Sequence, residues 1–334
     1  MEPEEIMKCQ FCGRDNVEGY VYCTYCGTVL AKPADLNKPE VKEIGQRLEG
    51  VVRERQRTDR ILSPLWIVVP IILVLITSII GFGMVFSALW DEISANPDYD
   101  PYELGYPEEA VDGMLVMYFG TLIYQLIIAV LTYLLVDRLN KHFDRERRLR
   151  QEVVSLIRTG TKTPELESLV SYEMNAIATT EQFGDQRRQP AFWAIVILLP
   201  AVVSSLWMAV LLSEPDAIPA GMVALNFLFS IFMFAVELYL LYFLGKSMYQ
   251  HDVRWNDFSY SAQRALSKVG FPIGPSYRLG RLEDRSFLLY LVLTFVTLGL
   301  FIYYWWYTLI KDPNNHFERQ WGFEDSVMES LKKV

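Results

Sequence analysis

The sequence predicts an all-α polytopic membrane protein with a small N-terminal metal-binding module. Three observations carry that reading. First, five blocks are almost free of charge: 65–89, 114–136, 191–212, 222–244 and 287–310. They run 25, 23, 22, 23 and 24 residues, and a helix needs roughly 20 to cross the hydrocarbon core. Second, the segments between these blocks alternate in charge. Third, all four cysteines lie between positions 9 and 26. The 334 residues are 51% hydrophobic with a formal charge of −9, but their segregation excludes both a soluble globule and an acidic disordered chain. A polar stretch of 60 residues before the first block argues against a secretory signal peptide.

Residues 1–31 read as the metal module. Cys9-Gln-Phe-Cys12-Gly13 is followed ten residues later by Cys23-Thr-Tyr-Cys26-Gly27. A CxxC turn brings two thiolates to one cation, and two such turns complete a tetrahedral Zn–S4 shell. The competing reading, two disulfides, requires strained adjacent bridges. The pattern resembles the short zinc ribbons found at the ends of many prokaryotic proteins, over about residues 8–30. One structural Zn2+ on Cys9, Cys12, Cys23 and Cys26 follows. Four thiolates leave no open position for catalysis. The module carries only Lys8 and Arg14 against five acids, the wrong balance for phosphate neutralisation, so a cytoplasmic protein partner is favoured over nucleic acid.

Residues 32–60 read as a Pro-containing linker and an amphipathic juxtamembrane helix. Val41, Ile44, Leu48, Val51 and Val52 recur at helical spacing, which suits either a helix on the membrane surface or a solvated stalk. Residues 61–160 form a first membrane hairpin with a cytoplasmic helical extension, and 161–282 a second. Residues 90–113 contain eight acids and no Lys or Arg, whereas 137–190 carry ten basic residues and 245–285 seven. Basic loops stay inside. The N-terminus and both long loops are therefore expected in the cytoplasm of a prokaryotic cell, with the protein multi-pass in its plasma membrane.

The segments after the second, fourth and fifth blocks repeat one another. His142, His251 and His316, the only histidines, each have Arg three residues later (Arg145, Arg254, Arg319) and an apolar residue seven later (Leu149, Phe258, Phe323). Each has Leu seven before and Tyr nine before. The chain thus reads as three degenerate copies of a membrane hairpin followed by a cytoplasmic helix. Residues 283–334 are then a compressed third hairpin and a C-terminal amphipathic helix, folded back at Thr297-Leu298-Gly299 in a re-entrant form that returns the C-terminus to the cytoplasm. The alternative is five full spans. The stretch from Phe295 to Trp306, with its Thr-Leu-Gly and paired aromatics, resembles a widespread prokaryotic membrane domain family of unknown function; that resemblance implies no activity.

Two further features bear on function. Glu237 is the only ionisable residue within a full span, and with Gln125 it could form an intramembrane polar site; packing against Gln125, Tyr124 or Tyr239 is the competing role. The three histidines could converge as a metal or proton site, or serve as an interfacial repeat in the headgroup zone. No GxSxG, P-loop, HExxH or Rossmann pattern is present, so no enzyme is expected. The expected function is a membrane adaptor or scaffold that recruits a cytoplasmic protein through the ribbon, with a proton or small-ion transporter using Glu237 as the alternative. Homo-oligomer formation stays open.

Overall fold

The computed structural model describes residues 6–9, 12–17, 23–25, 38–100, 106–161, 164–181, 185, 187–213, 220–271, 273 and 281–333. Two short strands, β1 (Ile6–Lys8) and β2 (Asp15–Val17), pair antiparallel with Ile6 opposite Val17. They carry Cys9 between them and the hairpin turn with Cys12.

The other secondary-structure elements among the described residues are helices. The helices are α1 (Pro39–Arg53), α2 (Arg55–Thr58), α3 (Leu65–Ala95), α4 (Glu108–Gly160) and α5 (Pro164–Glu181). They continue with α6 (Pro190–Ser213), α7 (Ala220–Lys268), α8 (Phe287–Val296) and α9 (Phe301–Lys333). Four of them, α3, α4, α6 and α7, are long and apolar enough to cross a membrane. Their outward faces expose Ile79, Phe82, Phe119, Ile195, Leu206, Leu225 and Phe232, a surface that suits lipid and not water.

Helices α4 and α7, with 53 and 49 residues, do not end at the apolar stretch. At 1.5 Å per residue they reach roughly 75–80 Å, so each carries its membrane half straight into a second, polar-surfaced half. Two apolar cores result. One lies among the membrane segments and contains Leu131, Leu135, Leu241, Leu244, Trp306 and Leu309. The other lies among the helical extensions and contains Leu149, Val153, Trp255, Phe258, Phe271 and Phe323. The sequence repeat maps onto both. Its Leu positions (Leu135, Leu244, Leu309) are buried in the first core, and its later apolar positions (Leu149, Phe258, Phe323) in the second. Offsets of seven keep one helix face pointing inward through both. The Tyr positions Tyr133 and Tyr242 point outward.

Helix α1 is amphipathic as the spacing requires, yet it is neither a surface helix nor a solvated stalk. Val41, Ile44, Leu48, Val51 and Val52 are all buried in the second core beside Val153, Leu156 and Ile157 of α4. Arg47 on its outer face reaches Glu152 of α4 at 3.0 Å.

The fifth apolar block is broken. Ser286 caps α8, its hydroxyl accepting from the Leu289 N–H. The chain then turns at Leu298 (φ 51°) and Gly299 (φ 91°). The Gly299 N–H donates to the Thr294 carbonyl at 2.7 Å, as in a left-handed helix cap. The Thr297 hydroxyl accepts from Phe301 N–H at the start of α9. Tyr290 packs against Phe301, Tyr304 and Trp305, and Arg285 pairs with Asp312, so α8 lies back along α9.

Candidate functional site: a buried histidine knot

Where the membrane core meets the second core, the three repeat histidines meet. His142 on α4, His251 on α7 and His316 on α9 are each 0% exposed. They face one another. The Nε2 of His142 is 3.3 Å from that of His251 and 3.2 Å from that of His316. Glu146, one turn after His142 on the same face of α4, brings its Oε2 to 2.6 Å from His251 Nε2, 3.4 Å from His142 Nε2 and 4.0 Å from His316 Nε2. That oxygen makes no hydrogen bond of normal geometry, although it is buried. Its sister Oε1 accepts from Arg150 Nε at 2.6 Å.

Each imidazole is held from behind in the same way. His142 Nδ1 lies 3.0 Å from Asp59, His251 Nδ1 2.8 Å from Asp185, and His316 Nδ1 2.7 Å from Asp252. Each of those carboxylates also pairs with the Arg three residues after its histidine: Asp59 with Arg145, Asp185 with Arg254, and Asp252 with Arg319. The repeated His-x-x-Arg is therefore a clamp. Both side chains lie on one helix face and grip one carboxylate arriving from another segment. Two of the rings are roofed by the residue after a histidine, with His142 4.3 Å from Phe317 and His251 4.4 Å from Phe143.

The electrostatics follow from burial and these pairs. Asp59 is held well below the usual carboxylate range, because His142 and Arg145 outweigh its burial. Glu146 is likewise held low, Arg150 and His251 prevailing over burial. Burial alone would depress His251, but Glu146 and Asp185 hold it up at about 9. His316 is pushed down to about 4, by burial first and then by its two histidine neighbours.

The three carboxylates behind the histidines were not among the residues the repeat singled out. Two had a signal: Asp59 and Asp185 each stand five residues before the proline that opens a membrane hairpin, Pro64 and Pro190. The third unit has no such Asp. Asp252 replaces it, at a position where the other two units have Phe143 and Phe317. Glu146 is also unique, its counterparts being Trp255 and Gln320.

Cys9, Cys12 and Cys23 lie together and could hold a metal ion. Cys12 Sγ and Cys23 Sγ are 3.6 Å apart. Cys26 lies outside the described residues. Glu237 accepts a hydrogen bond from Trp306 Nε1 at 3.2 Å. Among the described residues no hydrogen bond joins it to Gln125.

The four apolar helices fit a multi-pass membrane protein. One family description, "Domain of unknown function (DUF4234)", matches residues 285–327, which hold α8, the turn, His316 and Arg319. No curated protein and no solved structure matches the chain.

Proposed function

We propose that the protein is a membrane scaffold of three hairpin units that presents a cytoplasmic helical platform and recruits a soluble protein through its N-terminal zinc ribbon. The observation that supports this best is continuity. Helices α4, α7 and α9 run from apolar to polar surroundings without a break and share one core in each half. Such a body is rigid, and α1, docked on it through five buried side chains, fixes where the linker to the cysteines begins. In this reading the third hairpin is re-entrant, the N- and C-termini are cytoplasmic, and the ribbon holds one Zn2+ on Cys9, Cys12, Cys23 and Cys26. The lipid partner is a prokaryotic plasma membrane.

The transport reading is less favoured, because Glu237 already has a packing partner in Trp306 and transport usually needs several polar groups along a path. Affinity capture from cells tests the scaffold. Wild type and Cys9→Ser/Cys12→Ser are compared at equal membrane insertion. Loss of specific soluble partners in the variant is expected; identical partner sets would remove the recruiting role.

A further inference from the structure

We infer that His142, His251, His316 and Glu146 form a second metal site, independent of the cysteines, which takes a divalent first-row transition ion of the zinc class and ties the three hairpin units together. The proposal does not rest on the recruiting role of the ribbon.

Each Nδ1 faces a carboxylate, which fixes the proton on that nitrogen and leaves Nε2 as an acceptor. The tautomers are assigned from these partners. Once His251 gives up its second proton, three Nε2 lone pairs and Glu146 Oε2, which has no hydrogen bond of normal geometry, converge on one point. Acceptors do not pack against acceptors in a dry interior without something positive between them. A single proton can bridge one contact, such as Glu146 to His251. It leaves the two contacts of His142 Nε2 with its neighbours unanswered.

The spacing then selects the ion. Metal–nitrogen bonds of 2.0–2.1 Å in a tetrahedron place ligand atoms roughly 3.3 Å apart. The His142 Nε2 atom lies 3.3 and 3.2 Å from those of His251 and His316. The three distances from Glu146 Oε2, 2.6 to 4.0 Å, straddle that edge. A small rotation of the carboxylate away from His251 would even them. Imidazole and one carboxylate suit zinc and its neighbours and not Ca2+ or Mg2+, which take oxygen ligands. The Asp–His pairs supply the outer contacts that orient and strengthen imidazole ligands. All four ligands are buried to 2% exposure or less, and Phe143 and Phe317 close over the rings. The site is closed, which fits a structural ion. One ligand pair comes from the first unit and one ligand from each of the others, so the ion links all three where two apolar cores adjoin.

The test uses full-length protein in detergent with Cys9, Cys12, Cys23 and Cys26 all changed to Ser, so that only the second site can report. After loading with zinc and removal of free metal, elemental analysis is expected to find about one equivalent. Loading with Co2+ is expected to give visible d–d bands of a four-coordinate ion without a thiolate charge-transfer band. Glu146→Gln, nearly isosteric, should weaken retention at least tenfold while the protein stays monodisperse. His251→Ala and His316→Ala should abolish it. If a histidine variant fails to fold, the cobalt spectrum of the parent and the Glu146→Gln comparison decide alone. A folded, monodisperse parent that holds no zinc and gives no cobalt bands would overturn the site. Equal retention by the parent and Glu146→Gln would also overturn it.

Discussion

Arg138 on α4 donates from Nη2 to the Leu309 carbonyl of α9 at 3.0 Å. That carbonyl needs a donor because Pro313, four residues on, lies inside α9 and has no N–H to offer. Arg138 also reaches the Ile310 carbonyl and Asn314 Oδ1, while Asn314 Nδ2 donates to the Leu62 carbonyl. One buried guanidinium thus repairs a proline gap and joins the first unit to the third. Arg138→Met should leave these buried acceptors unpaired and destabilise the fold by about 2–4 kcal/mol. Pro313→Ala restores the helical donor for Leu309, so the cost of Arg138→Met should shrink in the Pro313→Ala background. Thermal unfolding of the four proteins of that cycle measures the coupling. Strict additivity would mean that Arg138 does not serve the proline gap.

The carboxylates behind the histidines give a prediction that separates orientation from ligation. Asp59→Asn, Asp185→Asn and Asp252→Asn each keep a side chain able to hydrogen-bond an imidazole but lose the charge. In the cysteine-free background each should weaken zinc retention about 10–100-fold, measured by competition with a chromophoric chelator. Retention unchanged in all three would mean that the carboxylates answer only their arginines.

The crossing of α3 and α4 depends on three glycines. A Cβ on Gly81 would stand 2.4 Å from the Gly113 carbonyl oxygen, and one on Gly120 would stand 1.9 Å from Thr77 Oγ1. Small residues permit such close helix approach in a membrane. Gly81→Leu or Gly120→Leu should cost about 1–3 kcal/mol or more from overpacking. Gly83→Leu, on the same helix with nothing within 4 Å, should be tolerated. The midpoint of thermal aggregation in detergent distinguishes them, and three equal midpoints would mean that the helices are free to separate.

Much of this arrangement was legible in the sequence, but unevenly. The spans followed from apolar length, and the His, Arg and apolar offsets followed from the repeat, because a helix turns an offset of seven into one face. The inward turn of the histidines was not legible from a single helix. A His near a membrane boundary satisfies headgroups as readily as a core, and only the meeting of α4, α7 and α9 decides. The burial of α1 was hidden for the same reason, since an apolar stripe does not say whether lipid or protein covers it. Asp252 was hidden because it breaks the repeat that revealed the rest.

Glu237 offers a contrast between packing and conduction. Its Oε1 accepts from Trp306 Nε1. Glu237→Gln keeps an acceptor there and should change stability by less than about 1 kcal/mol. Glu237→Leu strands the indole N–H and should cost about 1–3 kcal/mol. Neither should alter proton leak into liposomes under an imposed pH gradient. A leak in wild type that Glu237→Gln removes would restore the transport reading.

The C-terminus is expected on the same side of the membrane as the histidine knot. His316 can meet His142 and His251 only if all three lie at the same end of the bundle. In the proposed orientation, which rests on the charge alternation of the loops, that end faces the cytoplasm. Helix α8 has ten residues, roughly 15 Å at 1.5 Å per residue, half of a hydrocarbon core. In the proposed re-entrant reading, the turn at Leu298 and Gly299 reverses the chain before it can cross. A fluorescent protein fused after Val334 should therefore fluoresce in the cytoplasm, and alkaline phosphatase at the same place should stay inactive. Gly299→Val should strain the turn, because φ of 91° suits glycine and not a β-branched residue, and should lower the melting temperature without moving the C-terminus. An external C-terminus in the wild-type chain would separate His316 from its partners and undo both the re-entrant hairpin and the histidine knot.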